Sequence, residues 1–193
     1  MNSKVELHLV VIFCLSIFLL TGCKKLKYPD HIVAGDASGR HIYHSGMGLV
    51  HHHKGNSGSW QWEIDINDDG TDDCILKYYA SLGMGSQSMQ ISITPVSLPG
   101  CAIAADVATK FADTIPGNTI IHQNMEWLPN DCILYHYSHT SGQSATQYGL
   151  WQGKKGKYVG VRAMVDDHFI YGWLKIEIDG QELKFFEFAG TGY

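Results

Sequence analysis

Nine consecutive residues, Asp65-Ile66-Asn67-Asp68-Asp69-Gly70-Thr71-Asp72-Asp73, carry the chain's densest set of oxygen ligands. Asp65, Asn67, Asp69 and Asp73 stand at positions 1, 3, 5 and 9 of a D-x-[DN]-x-D-G-x-x-D run. Gly70 at position 6 permits a sharp turn, and Thr71 at position 7 offers its backbone carbonyl. Five carboxylates so close together repel one another unless a cation lies among them. A hard ion with oxygen ligands, Ca²⁺, is the expected occupant, structural in role and bound with an extracellular-grade affinity of about 10⁻⁴ to 10⁻³ M. The bidentate Glu that a helix-loop-helix calcium site needs at position 12 is missing, since Leu76 stands there inside an expected strand. The competing reading is a solvated acidic hairpin turn.

The histidines are the second concentration of donor atoms: His31, His41, His44, His51, His52 and His53 fall within a short stretch. His41 and His44 share a face only on a helix, which nearby Gly46 and Gly48 disfavour, and adjacent residues of a strand point to opposite faces. A solvated polar segment is therefore preferred over a zinc or copper site. Enzymatic signatures are sparse: there is no G-x-S-x-G, no HExxH and no phosphate-cradling glycine loop. A pair of carboxylates for glycoside hydrolysis, Glu126 with Glu177 or Asp167, is the one catalytic arrangement left open. Trp127, Trp151 and Trp173 offer aromatic faces for stacking on sugar rings, against the commoner use of tryptophan in a core.

The N-terminus reads as an address. Leu9 to Leu20 is an apolar run interrupted only by Ser16, too short for the roughly 20 residues of a spanning helix but suited to a signal peptide. Leu19-Leu20-Thr21-Gly22-Cys23 then resembles the lipobox of bacterial lipoproteins. That resemblance implies cleavage before Cys23, lipid on its thiol and a permanent membrane tether. Lys24 stands where an Asp would signal inner-membrane retention in some bacteria, which favours the outer membrane or cell surface. Cys14 leaves with the signal, so the folded part holds Cys74, Cys101 and Cys132. None is in a CxxC pair, and the sequence does not choose among the three pairings or three free thiols.

These groups must be positioned by a fold that composition constrains. With 45% hydrophobic and only 17% charged residues, the chain can bury a core. Its formal charge of -5 and lack of basic runs exclude nucleic acid as a partner. Trp60, Trp62, Ile64 and Ile66 alternate with polar residues, as do Cys74, Leu76 and Tyr78, and Met89, Ile91 and Ile93. Further strands are expected over 132–138, 147–151, 158–165, 168–178 and 182–188, with Asp179-Gly180 as the clearest hairpin turn. Apolar residues on both faces of the last two mark a central pair. Residues 102–112 carry at most one short helix. Roughly nine or ten short strands predict an all-β fold, an antiparallel jelly-roll-like β-sandwich. The expected organisation is a signal peptide over 1–22, a tether with an irregular His/Gly-rich segment over 23–59, and the sandwich domain over 60–193.

The acidic run, Tyr158-Val159-Gly160-Val161-Arg162, Tyr171-Gly172-Trp173-Leu174-Lys175-Ile176 and Phe186-Glu187-Phe188-Ala189 together resemble a group of small secreted or lipid-anchored β-proteins of environmental bacteria. The acidic run is likewise similar to the short calcium loops that join strands in extracellular proteins. Ala163 departs from the aromatic usual after the Val-Arg pair. The resemblance implies a cell-surface β-sandwich and carries no activity. The expectation is thus a non-catalytic, Ca²⁺-stabilised surface lipoprotein that contacts glycan or another surface protein. The alternative is a small polysaccharide-acting hydrolase on a jelly-roll scaffold.

Overall fold

The computed structural model describes residues 29–38, 41–45, 49–52, 57–96 and 100–191. They form sixteen strands and no helix. The strands are β1 (His31–Val33), β2 (His41–His44), β3 (Leu49–His52), β4 (Gly58–Ile64), β5 (Cys74–Gly83), β6 (Ser86–Pro95), β7 (Ala102–Asp106) and β8 (Phe111–Ala112). After them come β9 (Ile115–Pro116), β10 (Ile120–His122), β11 (Trp127–Leu128), β12 (Cys132–Thr140), β13 (Thr146–Tyr148), β14 (Lys154–Val165), β15 (His168–Asp179) and β16 (Glu182–Thr191).

The all-β expectation holds, and alternation explains it. On β5, Cys74, Leu76, Tyr78 and Ala80 are buried, and on β6 Met89, Ile91 and Ile93 face the same core. From the other side come Val159 and Val161 of β14, Leu174 and Ile176 of β15, and Leu183 and Phe185 of β16. The arrangement differs from the expected jelly-roll sandwich. The main ladder runs β2-β16-β15-β14-β7-β8-β12-β6-β5-β4 as one curled mixed sheet, a half-barrel. The reason is the corner made by β7 and β8. β7 pairs with β14 through Ile103 and Val161, and with β8 through Ala105 and Ala112; β8 then joins β12 in parallel through Phe111 and Ile133. This corner welds two groups of strands that a sandwich would keep apart. It also accounts for the region where one helical turn was expected: residues 107–110 make a tight turn that Lys110 closes with a φ of 61°.

β15 is central, as its two apolar faces require. Its second face, with Tyr171 and Trp173, is covered by β1 and β10, and a smaller core of Ile32, Ala34, Ile121 and Tyr158 forms there. The His/Gly-rich segment is consequently part of the fold: β1 pairs with β10, while β2 and β3 both pair with β16. A boundary at residue 60 does not mark where the sheet begins.

Candidate functional site

The acidic run connects β4 to β5 as a compact loop. Asp65 caps it from within: its Oδ1 accepts the N–H of Asn67 at 3.1 Å and of Asp69 at 3.3 Å, and its Oδ2 accepts that of Gly70 at 2.7 Å. Asn67 Oδ1 accepts the Asp69 N–H at 3.0 Å, and its Nδ2 donates to Asp69 Oδ2 at 3.0 Å. Asp69 Oδ1 in turn accepts the Thr71 N–H at 2.8 Å. Gly70 has a φ of 84°, so only glycine takes position 6 without strain. The loop thus brings Asp65, Asn67 and Asp69 together, with lone pairs still open on their oxygens.

Asp73 is used differently. Its carboxylate is buried, accepts the Ile66 N–H at 2.9 Å and receives the Cys101 thiol at 3.7 Å. Its backbone N–H donates to the Ile64 carbonyl at 2.9 Å, so it ties the exit of the loop to its entrance. As the side chains stand, no three His, Cys, Asp or Glu residues among those described converge into a metal site. Asp65, Asn67 and Asp69 are the side chains of the acidic run whose oxygens the loop gathers.

Cys74, Cys101 and Cys132 are buried, and no disulfide joins any two of them. Burial, with Asp73 alongside, pushes the Cys74 thiol well up, and burial pushes that of Cys132 up to about 12. Both are protonated, inert packing groups at neutral pH. Cys23 lies outside the described residues. So does His53; of the other histidines, His31 bonds to Asp30 and His44 stacks on Phe188.

The three tryptophans proposed for stacking do not form an exposed row. Trp151 and Trp173 are each 0% exposed, which assigns them to the cores. Trp127 alone is half-buried, with the Arg162 guanidinium 5.0 Å from its ring centre. Their burial has a physical origin: Trp151 sits between β8 and β12, its indole donating to the Ala112 carbonyl at 3.0 Å and its backbone N–H to the Leu134 carbonyl, and β1 with β10 roofs Trp173. The carboxylates considered for hydrolysis are also kept apart. Glu126, just before β11, is separated from β15 by β7 and β14. Three strand steps, about 14 Å along the sheet, separate it from the strand that carries Glu177, beyond the roughly 5–10 Å of a hydrolytic pair, and Asp167 lies in the turn that joins β14 to β15.

An aromatic surface does exist, on strands where none was expected. Tyr79 of β5 stands opposite Gln90 of β6, Gln90 opposite His136 of β12, and His136 opposite Tyr148 of β13. Residues directly opposite share a face, so these four line one row on the outside of the sheet. Tyr79 is 52% exposed and Tyr148 is 38% exposed. His136 stacks on Tyr148 at 4.3 Å and 14°, and the Phe111 ring lies 6.0 Å from that of Tyr148 at 20°. Beside this row runs a hydroxyl row of Ser81, Ser88, Ser138 and Thr146. Burial lowers the pKa of His136, which keeps the row uncharged at neutral pH. Sequence reasoning missed the row because the β12 register shifts between Ile133 and Tyr135. That bulge turns Leu134 and Tyr135 both inward and sends His136 out. Tyr79 was visible in the alternation of β5, but its partners were not.

No family model matches the chain, and no curated protein or solved structure is similar enough to it to count as a match.

Proposed function

We propose that this protein is a non-catalytic surface lipoprotein, held to a bacterial outer membrane by lipid on Cys23, whose calcium-stabilised β-domain binds neutral glycan. The observation that carries the binding reading is the outward row of Tyr79, Gln90, His136 and Tyr148 with its neighbouring hydroxyls. Three strand steps make the row about 14 Å long, enough for several sugar rings. Aromatic groups at its ends supply apolar contact, an amide and an imidazole between them supply hydrogen bonds, and the strands hold all four without a cost in ordering.

A glycan array tests the reading. Binding of one or more neutral oligosaccharides is expected, weakened at least tenfold by Tyr148→Ala and by Tyr79→Ala, with the glycan recovered intact. Hydrolysis products, or binding indifferent to both substitutions, would overturn it.

The calcium assignment is tested apart. Thermal melting in Ca²⁺ is expected to exceed that in EDTA for the native chain and not for the variant with Asp65→Ala and Asp69→Ala. Because Asp65 also satisfies three loop N–H groups, the variant is destabilised with or without the ion. The calcium-dependent increment is therefore the readout, and its absence in the native chain rejects the ion.

A further inference from the structure

In the two-stranded ribbon of β1 and β10, Ile32 and Ile121 stand opposite each other and are buried in the smaller core with Trp173 and Tyr158. A period of two then turns His31, Val33, Ile120 and His122 to the other face, with His31 directly opposite His122. Side chains paired in this way start about 4.5–5.5 Å apart at Cβ. Both imidazoles border one cleft of about 240 Å³, whose lining is completed by Asp30, Ile120, Gln123 and Asn124. The turn after β10 is closed by the Met125 N–H, which donates to the His122 carbonyl at 3.3 Å and so keeps Gln123 and Asn124 at the cleft.

The hydrogen bonds of the two rings assign them opposite tautomers. His31 Nδ1 lies 2.7 Å from the Asp30 carboxylate, which only accepts, so the proton is on Nδ1 and the Nε2 of the neutral ring is an acceptor. His122 Nδ1 accepts the Asn124 N–H at 3.2 Å, so there the proton is on Nε2, a donor. Neither ring makes another hydrogen bond among the described residues. The cleft therefore holds one imidazole acceptor and one imidazole donor at paired positions. A hydroxyl group suits them because it donates and accepts at once. A metal ion would need a lone pair on both Nε2 atoms and finds one, and an anion would meet the Asp30 carboxylate. The amides of Gln123 and Asn124 add further donors and acceptors, while Ile120, 52% exposed, offers an apolar wall. The volume lies below that of pockets for drug-sized ligands and suits a single ring.

We propose that this cleft binds one ring of a neutral sugar, a hydroxyl of which donates to His31 Nε2 and accepts from the Nε2–H of His122. The site shares no residue with the outward row and does not depend on that reading. Proton–nitrogen correlation spectra of the histidine rings, on the full chain in detergent micelles, test the tautomers. The proton is expected on Nδ1 of His31 and on Nε2 of His122, and the same tautomer in both rings overturns the proposal. Calorimetric titration with glucose, galactose and mannose is expected to show saturable binding of at least one, and weaker binding of the matching sodium uronate. His31→Asn and His122→Asn are each expected to weaken the sugar about fivefold, the loss of one neutral hydrogen bond. Asparagine can keep the local bond, Nδ2 donating to Asp30 in the first and Oδ1 accepting from Asn124 in the second, and it removes the Nε2 atom. Neither histidine belongs to a core, so both variants fold. Tyr79→Ala with Tyr148→Ala, which takes both ends from the outward row, is expected to leave this affinity unchanged. Binding of none of the three sugars overturns the proposal, as do a uronate bound as tightly, unchanged affinity in either histidine variant, or affinity lost in the tyrosine variant.

Discussion

Replacing Trp151 with alanine is expected to cost about 3–5 kcal/mol of stability, the range for removing a large aromatic from a packed core. The side chain is fully buried, its indole N–H donates to the Ala112 carbonyl at 3.0 Å, and its own backbone N–H reaches the Leu134 carbonyl at 3.3 Å. It therefore locks β8 to β12 at the corner that joins the two halves of the curled sheet. Phenylalanine separates packing from hydrogen bonding. Trp151→Phe strands the Ala112 carbonyl, whereas Trp173→Phe strands nothing, because the Trp173 indole nitrogen has no hydrogen-bond partner. The first is expected to cost about 1–3 kcal/mol more than the second through the unmet acceptor. Urea unfolding measures all three. A Trp151→Ala protein within 1 kcal/mol of the native chain, as an order of magnitude for surface changes, would mean that this residue is not core.

Gly190→Ala carries the next largest effect. Gly190 lies in β16 opposite Gly172 of β15, and a Cβ built on it would fall on the carbonyl oxygen of Ile66. A Cβ on Gly172 would come within 3.2 Å of the Ile66 side chain. The two glycines form the floor beneath the loop, and Ile66, 0% exposed, is the part of the loop that rests there. A side chain could rotate away from a new methyl, but this carbonyl cannot, because its neighbours are held by Asp65 and Asp73. The cost is expected at about 3 kcal/mol, the upper part of the usual overpacking range. For a chain of this size that lowers the melting temperature by about 6–12 °C. Displacing Ile66 also moves Asp65 and Asn67, so the calcium-dependent increment is expected to shrink with it. A melting curve that overlays the native one would show that the loop does not sit on this floor.

The two results probe what could be read from residues and what could not. Strand positions were legible because burial on one face imposes a period of two, and Cys74, Leu76 and Tyr78 on β5 or Met89, Ile91 and Ile93 on β6 keep it without interruption. The compact acidic turn was legible for a similar reason: Asp, Asn and Gly at set offsets close a loop through their own backbone, as Asp65, Asn67 and Gly70 do. What the offset of Asp73 does not show is its neighbour in space, Cys101, which is remote in sequence.

The sequence by itself determined local matters: all-β character, the main turns, the acidic loop and a core rich in Trp, Tyr and Ile. Each depends on residues within a few positions of one another. Only the tertiary structure decided which strands became neighbours. Pairing β7 with β14, and β8 with β12 in parallel, curled one sheet where two were expected. A single bulge in β12 exposed His136 to Tyr148, and the β1–β10 cover buried Trp173. The physical reason is that register and cover follow from long-range complementarity of whole surfaces, and a shift of one residue exchanges the two faces of a strand. A tryptophan read along the chain is an aromatic surface; whether it meets a ligand or a neighbouring strand is settled only when the strands close around it.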